Sequence, residues 1–333
     1  MNNIYKDKRI WISGITGSWA RELIKQLLPL EVKEIVGISR NEFNQVKLLR
    51  EVNDKRLKLK MVDVRDYEAV NESMKGCDIG FHLAAIKHID ISEVQIEECI
   101  KTNITGTENV IKAAINNNIE RCILSNTDKS CSPSSVYGCS KFIVEKLFIQ
   151  ANLKGKTKFA SVRAGNVLGS NGSFPPHCIE LIKEGKDIPI TDFRMSRYFI
   201  TIPEAIKLLL TASEMALGAE TFIVNMPACY IKDLAQVLID YYGNDRDIKI
   251  VEVGKRPGEK LSELLISKHE SDLTYKLDND YFVLLPNIDI NNIHEIYRFK
   301  GLEKVDFEEF SSETNIMSSN EIYKMLGEAG FLE

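Results

Sequence analysis

Short apolar runs alternate with segments of helical periodicity across the first half of this chain, and no other feature restricts the fold as much. Runs of strand length stand at 10–13, 34–38, 57–62, 79–83 and 121–125, with a further one at 159–163. Between them lie helical patterns such as 20–28, closed by Pro29, and 99–116, followed by the Asn-rich turn 116–118. A strand that returns through a helix comes back parallel to its predecessor, so the repetition predicts an α/β chain with one doubly wound parallel sheet.

Beyond about residue 166 the pattern loosens. Loop signals at 169–172 and Pro175-Pro176 precede helical patterns at 203–217 and 231–242, then short strands and a terminal helical stretch near 320–327. The expectation is a nucleotide-binding Rossmann domain over 1–165 and a smaller α/β lobe over 166–333. That lobe mainly binds substrate, sends some segments back to the first domain, and closes over the carboxyl edge of the sheet, where such folds hold ligands.

Ser13-Gly14-Ile15-Thr16-Gly17-Ser18-Trp19-Ala20 lies between the first strand and the first helix. A glycine turn there lets backbone amides approach a pyrophosphate at a helix N-terminus, which makes Gly14, Thr16, Gly17, Ser18 and Trp19 cofactor candidates. The second strand ends Ser39-Arg40, where an NAD enzyme usually carries an acid for the ribose 2′-hydroxyl. A cation suits a 2′-phosphate instead, so the cofactor expected is NADP. After the third strand come Asp63, placed to meet the adenine amino group, and Val64. The fourth ends in Ala84 and Ala85, small enough for a cofactor to lie close.

Tyr137-Gly138-Cys139-Ser140-Lys141 sets a phenol and an amine at i and i+4 on one helical face. A lysine cation beside a phenol lowers the phenol's pKa and readies it to accept a proton. Such pairs arise by chance in many helices; this one follows a complete nucleotide-binding half. Upstream, just past the fifth strand, Thr127 completes a Thr/Tyr/Lys triad. Asp128 and Lys129 add an acid and an amine that alcohol oxidation does not require but loss of water does. The plainer reading of that segment is a polar loop capping a helix.

Thr127-Asp128-Lys129 followed by Tyr137-x-x-x-Lys141 resembles the small UDP-N-acetylglucosamine 4,6-dehydratases of the inverting type, which are extended short-chain dehydrogenases/reductases. The likeness extends through Ser39-Arg40-Asn41-Glu42, Ala84-Ala85-Ile86-Lys87-His88, Lys101-Thr102-Asn103-Ile104-Thr105-Gly106 and Gly165-Asn166-Val167-Leu168-Gly169-Ser170. It continues in Ile190-Thr191-Asp192, Met195-Ser196-Arg197 and Arg256-Pro257-Gly258-Glu259-Lys260. Dehydratases of thymidine-linked sugars resemble Thr-Asp-Glu at the acid/base pair, and the large membrane-attached relatives have methionine in place of the tyrosine. The resemblance implies that Thr127 and Tyr137 take the C4 hydroxyl proton as hydride leaves for NADP. Lys129 then removes the C5 proton, Asp128 protonates the departing C6 hydroxyl, and hydride returns to C6 with inversion at C5. It further implies a diphosphate clamp of Asn166, Arg197 and Arg256 with Lys260 nearby, Thr191 beside the uracil, Lys87 at both cofactor and substrate, Glu259 at the substrate, and a homo-oligomer.

Ala20, Asn126, Ala164 and Asp90 depart from the family pattern. Asn225-Met226-Pro227-Ala228-Cys229, the segment 281–286 and the Gly-Ser-Trp turn are similar to a Gram-positive subgroup linked to pseudaminic-acid-type sugars. There the conversion is divided between two proteins, one forming a 5,6-unsaturated UDP sugar and the other consuming it. A complete dehydratase, either half-reaction, a 4-epimerase and a non-catalytic scaffold all stay open.

Other classes are disfavoured. A net charge of -5 does not suit a nucleic-acid binder. Seven scattered cysteines without C-x-x-C spacing read as reduced and mostly buried, and five separated histidines indicate no metal site. The opening residues lack the apolar core of a signal peptide, and no apolar run approaches the ~20 residues of a membrane span. A soluble, cytoplasmic protein is expected.

Overall fold

The computed structural model describes residues 3–169, 173–244, 246–256, 258–278 and 280–332. Most of the loop expected at 169–172, with the motif residue Ser170, lies outside them, as does Pro257. The six expected strands form as β1 (Arg9–Ser13), β2 (Glu34–Ser39), β3 (Leu57–Met61), β4 (Ile79–His82), β5 (Arg121–Thr127) and β6 (Lys158–Ala164). They pair parallel in the order β3-β2-β1-β4-β5-β6. The order reverses between β1 and β4, and a crevice opens there at the carboxyl ends.

Three strands from the second half enlarge this sheet. Thr221–Val224 runs parallel to β6, Tyr281–Leu284 antiparallel to it, and Thr274–Lys276 lies at the edge, giving nine strands. A separate apolar cluster draws on residues from Leu168 to Ile248 and from Met317 to Leu332. It packs around the small sheet formed by Asn166–Val167, Ser196–Ile200 and Ala228–Tyr230. None of the described helices is long and apolar enough to cross a membrane.

Helix periodicity accounts for the faces that position the site. Helix α1 (Ser18–Leu27) buries Ala20, Leu23, Ile24 and Leu27, one stripe turned to the sheet. Helix α2 (Glu42–Val52) begins at Asn41, whose side chain accepts from Asn44 N at 2.9 Å. Gln45 within it donates to Ser39 O at 2.9 Å and to Lys60 O at 3.0 Å, fixing the end of β2. Helix Val136–Ala151 is capped by Ser135. Its inward face carries Tyr137, Lys141, Val144, Glu145 and Phe148, so three ionisable groups share a stripe with apolar ones.

Two expectations change. The single helix expected over 99–116 is three pieces, Ile96–Cys99, a π-helical turn Ile100–Thr105, and Gly106–Asn116. The wider turn buries Thr102 and Asn103, and Asn103 spends its side chain on other segments; π turns recur where function needs such a detour. Strand β5 runs on through Thr127, because its pairing with β6 continues to Thr127↔Ala164. Thr127 therefore ends the strand rather than following it.

Candidate active site

The turn after β1 is shaped by contact. Gly14 has φ +68°, and a Cβ there would sit 2.9 Å from Ala84 N. A larger residue would push the turn off the β4 exit. Gly17 N closes on Gly14 O at 2.9 Å. Gly17 is the N-cap of α1 and supplies no side-chain acceptor to its first amides, an arrangement suited to a phosphate group. A buried chain of hydrogen bonds holds the turn against β4. Ser13 Oγ accepts from Leu83 N at 3.0 Å and Ala84 N at 3.1 Å, and pairs with His82 Nδ1 at 2.7 Å. His82 Nε2 lies 2.9 Å from Thr107 Oγ1, which itself donates to Asn103 O. Thr107 thus accepts from Nε2–H, and Ser13 donates to Nδ1. Burial holds His82 neutral, its pKa pushed down to about 3.

One cavity of about 1250 Å³ runs along the carboxyl edge. It exceeds the size of a typical single drug-sized pocket and leaves room for a dinucleotide beside a second ligand. Gly14, Thr16, Gly17, Ser18, Trp19, Ser39, Arg40, Val64, Ala84, Ala85, Lys87, Lys129, Tyr137, Lys141, Asn166, Thr191, Arg197, Arg256 and Glu259 all border it. Residues 150 or more positions apart in the sequence thus meet at one surface. Three expected members do not border it. Asp63 is turned to Arg65, whose Nε and Nη2 reach its Oδ2 at 2.9 and 2.6 Å, with Arg40 at 3.9 Å. Thr127 is half-buried beside Tyr137, and Asp128, 0% exposed, stands behind the wall.

The reactive groups form one connected set. Thr127 Oγ1 donates to Asp128 Oδ1 at 2.8 Å, and Lys129 Nζ donates to the same oxygen at 3.1 Å. Lys129 also reaches Asn166 Oδ1, beyond β6, at 3.2 Å. Burial pulls the Lys129 pKa down, but Asp128 and Glu263 outweigh it and raise it. Lys141 Nζ donates to Ser125 O at 2.6 Å; burial, opposed by Glu145, brings its pKa down to about 8. Burial pushes Tyr137 up to about 12, against the charge of Lys129. This corrects the sequence expectation, since the cation that favours the phenolate is Lys129, and desolvation is the larger effect.

One further expectation changes. Arg197 was expected to offer its guanidinium to phosphate. Its Nη1 donates to Ser196 O at 2.7 Å and Leu261 O at 3.1 Å, and its Nη2 to Lys260 O at 2.8 Å. It is spent largely on the backbone, whereas Arg256 is exposed at the rim with Asp90 at 3.3 Å. The sequence reading missed Glu263, Asn103 and Asn126, which contact the reactive set or its supports. Asn126 Nδ2 donates to Glu145 Oε2 at 2.7 Å, a bond no spacing announces. Six of the seven cysteines are buried and all are free, Cys139 being the exposed one. Among the described residues no metal-holding group of His, Cys, Asp or Glu occurs.

Comparison with known proteins places this geometry. Residues 10–284 match the model of a family described as polysaccharide biosynthesis protein. An uncharacterized membrane protein of Methanocaldococcus jannaschii is 40% identical over 89% of this chain and 91% of its own length. A UDP-N-acetylglucosamine 4,6-dehydratase (inverting) of Campylobacter jejuni is 38% identical over 96% of each chain. A UDP-glucose 4-epimerase of Rickettsia rickettsii is 34% identical over 97% of this chain and 96% of its own. Among solved structures, Pen from Bacillus thuringiensis superposes with a TM-score of 0.91 at 33% identity, covering 99% of this chain and all of that one. The chain belongs to this polysaccharide-biosynthesis family, as a relative of the inverting UDP-N-acetylglucosamine 4,6-dehydratases.

Proposed function

We propose that this chain is an NADP-dependent nucleotide-sugar dehydratase that takes UDP-N-acetylglucosamine to the C5-inverted 4-keto-6-deoxy sugar. One observation carries the reading: Lys129 borders the same cavity as Tyr137 and Lys141 while Asp128 holds its ammonium at 3.1 Å. Oxidation at C4 needs only the Thr/Tyr/Lys set; an amine backed by a buried acid is useful where a carbon acid must be deprotonated and a hydroxyl lost.

NADP is supported by Ser39 and Arg40 at the end of β2, both on the cavity wall, with no acid between them and α2. When bound, the cofactor supplies hydride acceptance from C4 and its return to C6. Tyr137, in the phenolate form that the charge of Lys129 favours, takes the C4 hydroxyl proton, and Thr127 links that end of the site to Asp128. Lys129 passes a proton to Asp128 along their hydrogen bond and, now neutral, removes the C5 proton. Because Asp128 does not reach the cavity, the C6 hydroxyl receives its proton through Lys129 and leaves as water, and after hydride returns to C6 a solvent-derived proton enters C5 from the opposite face. Arg256 and Asn166 meet the diphosphate; Thr191 stands at the uracil end. In this reading residues 1–165 hold the cofactor and residues 166–333 chiefly the sugar nucleotide. Assembly as a homo-oligomer in the cytoplasm rests on the family likeness alone.

A 4-epimerase is the second reading, favoured by the Rickettsia relative; a 5,6-ene half-reaction is the third. Purified protein incubated with UDP-N-acetylglucosamine in heavy water and followed by proton NMR tests all three. A 4-keto-6-deoxy sugar with deuterium at inverted C5 supports the dehydratase. A galacto-configured product with C6 oxygen intact overturns it in favour of an epimerase. Alkene signals without the ketone mark the half-reaction.

A further inference from the structure

Glu263 lies just before the short strand Leu264–Ile266, and its side chain is 4% exposed. The backbone fixes it. Glu263 N donates to Ser312 Oγ at 2.9 Å, and Ser312 N donates back to Glu263 O at 2.9 Å. Ser312 Oγ is in turn 2.8 Å from Ser196 Oγ. The carboxylate faces three cations at long range, Lys129 Nζ at 3.6 Å, Lys260 Nζ at 3.7 Å and Arg197 Nε at 4.0 Å. Its Oε2 has no hydrogen-bond partner. A buried carboxylate oxygen left without a hydrogen bond is costly.

The three cations differ in what else they do. Lys260 donates to Cys131 O at 3.0 Å, and Arg197 is committed to backbone carbonyls. Lys129 alone combines contact with Glu263 and a place among the reactive groups on the cavity wall. Its ammonium has three N–H bonds. Asp128 takes one from its own segment and Asn166 takes one from beyond β6. Glu263 Oε1 stands 3.6 Å from the ammonium, an ion-pair distance that leaves the third N–H free for a ligand, and the residue does not border the cavity. Tyr137 from helix Val136–Ala151 and Arg197 from strand Ser196–Ile200 complete the charged and titratable groups around Lys129.

We propose that Glu263 is a positioning residue for Lys129, holding its ammonium from behind so that Nζ stays charged at rest and aimed at the substrate, with Asp128 left to exchange the proton. Its catalytic consequence rests on the dehydratase reading; its effect on Lys129 does not. Two anions beside one ammonium favour the protonated form, so removing one lowers the pH at which Lys129 titrates.

The test uses holoprotein labelled with [13C]lysine, the Lys129 signal being assigned by its loss in Lys129→Met. The expected result is that Glu263→Gln shifts the Lys129 titration to lower pH and that Glu263→Asp gives a smaller shift. In the same variants the rising limb of the rate of deuterium entry at C5 moves to lower pH, kcat changes, and KM for the sugar nucleotide holds within about twofold. A Lys129 titration unmoved in folded Glu263→Gln overturns the proposal and leaves Glu263 as a counter-ion for Lys260 and Arg197. Should Glu263→Gln not fold, Glu263→Asp keeps the charge but draws it back by one methylene, and its unmoved titration would count equally against the idea. A shifted titration in a protein that leaves UDP-N-acetylglucosamine unchanged upholds the positioning and removes the dehydratase reading.

Discussion

Asn103 brackets Ile86: its Oδ1 accepts from Ile86 N at 2.8 Å and its Nδ2 donates to Ile86 O at 3.0 Å. The same Nδ2 reaches Ser140 Oγ at 2.9 Å on the helix that carries Tyr137 and Lys141. The π-helical turn thereby ties the loop that follows β4 to the reactive helix. That loop contains Ala84, Ala85 and Lys87, all on the cavity wall.

Replacing Asn103 with Ala strands both backbone groups of Ile86 and removes the tie to Ser140, whose hydroxyl keeps its bond to Tyr137 O. The expected cost is about 1–3 kcal/mol for the groups left unsatisfied, read as a lower urea midpoint. Affinity for the nicotinamide cofactor should fall as well, because the loop after β4 loses its anchor. A variant with unchanged cofactor affinity would show that the bracket serves stability only.

Arg163 sits wholly buried between two carboxylates. Its Nη2 donates to Glu145 Oε1 at 2.8 Å and to Glu270 Oε1 at 2.9 Å, and its Nη1 to Leu265 O at 2.7 Å. Arg163→Met leaves a buried carboxylate uncompensated, so a loss of about 3–5 kcal/mol is expected. Chemical denaturation with an unchanged m-value would check it.

Glu270 gives that network a pH signature. Burial would raise its pKa, but Arg163 and the Ser267 bonds override this and hold it at about 2, below its ordinary 4.5. A carboxyl lowered by folding stabilises above its unfolded value, and the contribution is lost as pH falls toward the folded one. Glu270→Gln should therefore be less stable than wild type at pH 7, with the gap closing as pH falls from about 4.5 to about 2. A gap that persists through that range would assign the loss to shape rather than charge.

Arg40 is the residue on which cofactor choice turns. Its side chain is 58% exposed and 3.9 Å from Asp63, free to swing onto a 2′-phosphate. Arg40→Ala should weaken NADP by roughly ten- to a hundredfold, the worth of a charge-assisted bond, and leave NAD nearly untouched. Calorimetric titration of both dinucleotides decides it; equal losses for the two would end the NADP assignment.

Lys129→Met and Asp128→Asn separate the dehydratase from the epimerase. Either variant should lower water loss and deuterium entry at C5 by at least about a hundredfold, the scale of general acid–base assistance. An epimerase would keep its C4 inversion in both. Tyr137→Phe stops both reactions and serves as the control for the C4 step.

Much of this was legible in the chain itself. The spacing of apolar runs specified strands β1 to β6, because period and length are local properties. The glycine turn, Ser39-Arg40 and Tyr137-x-x-x-Lys141 were legible for a related reason, since in a doubly wound sheet the carboxyl ends of successive strands must share an edge. What needed the folded molecule was burial and direction. No spacing says that Asp128 faces inward behind Lys129, that Asp63 is taken by Arg65, or that Arg197 is spent on carbonyls. Nor does any pattern join Glu263 to Lys129, or Arg163 to Glu270, across more than a hundred residues of sequence. Those relationships follow from desolvation and packing, which depend on every segment that closes around the site. Sequence determined which chemical groups reach the sheet edge; tertiary structure decided which of them meet solvent, which carry charge, and which stand behind the others to hold them.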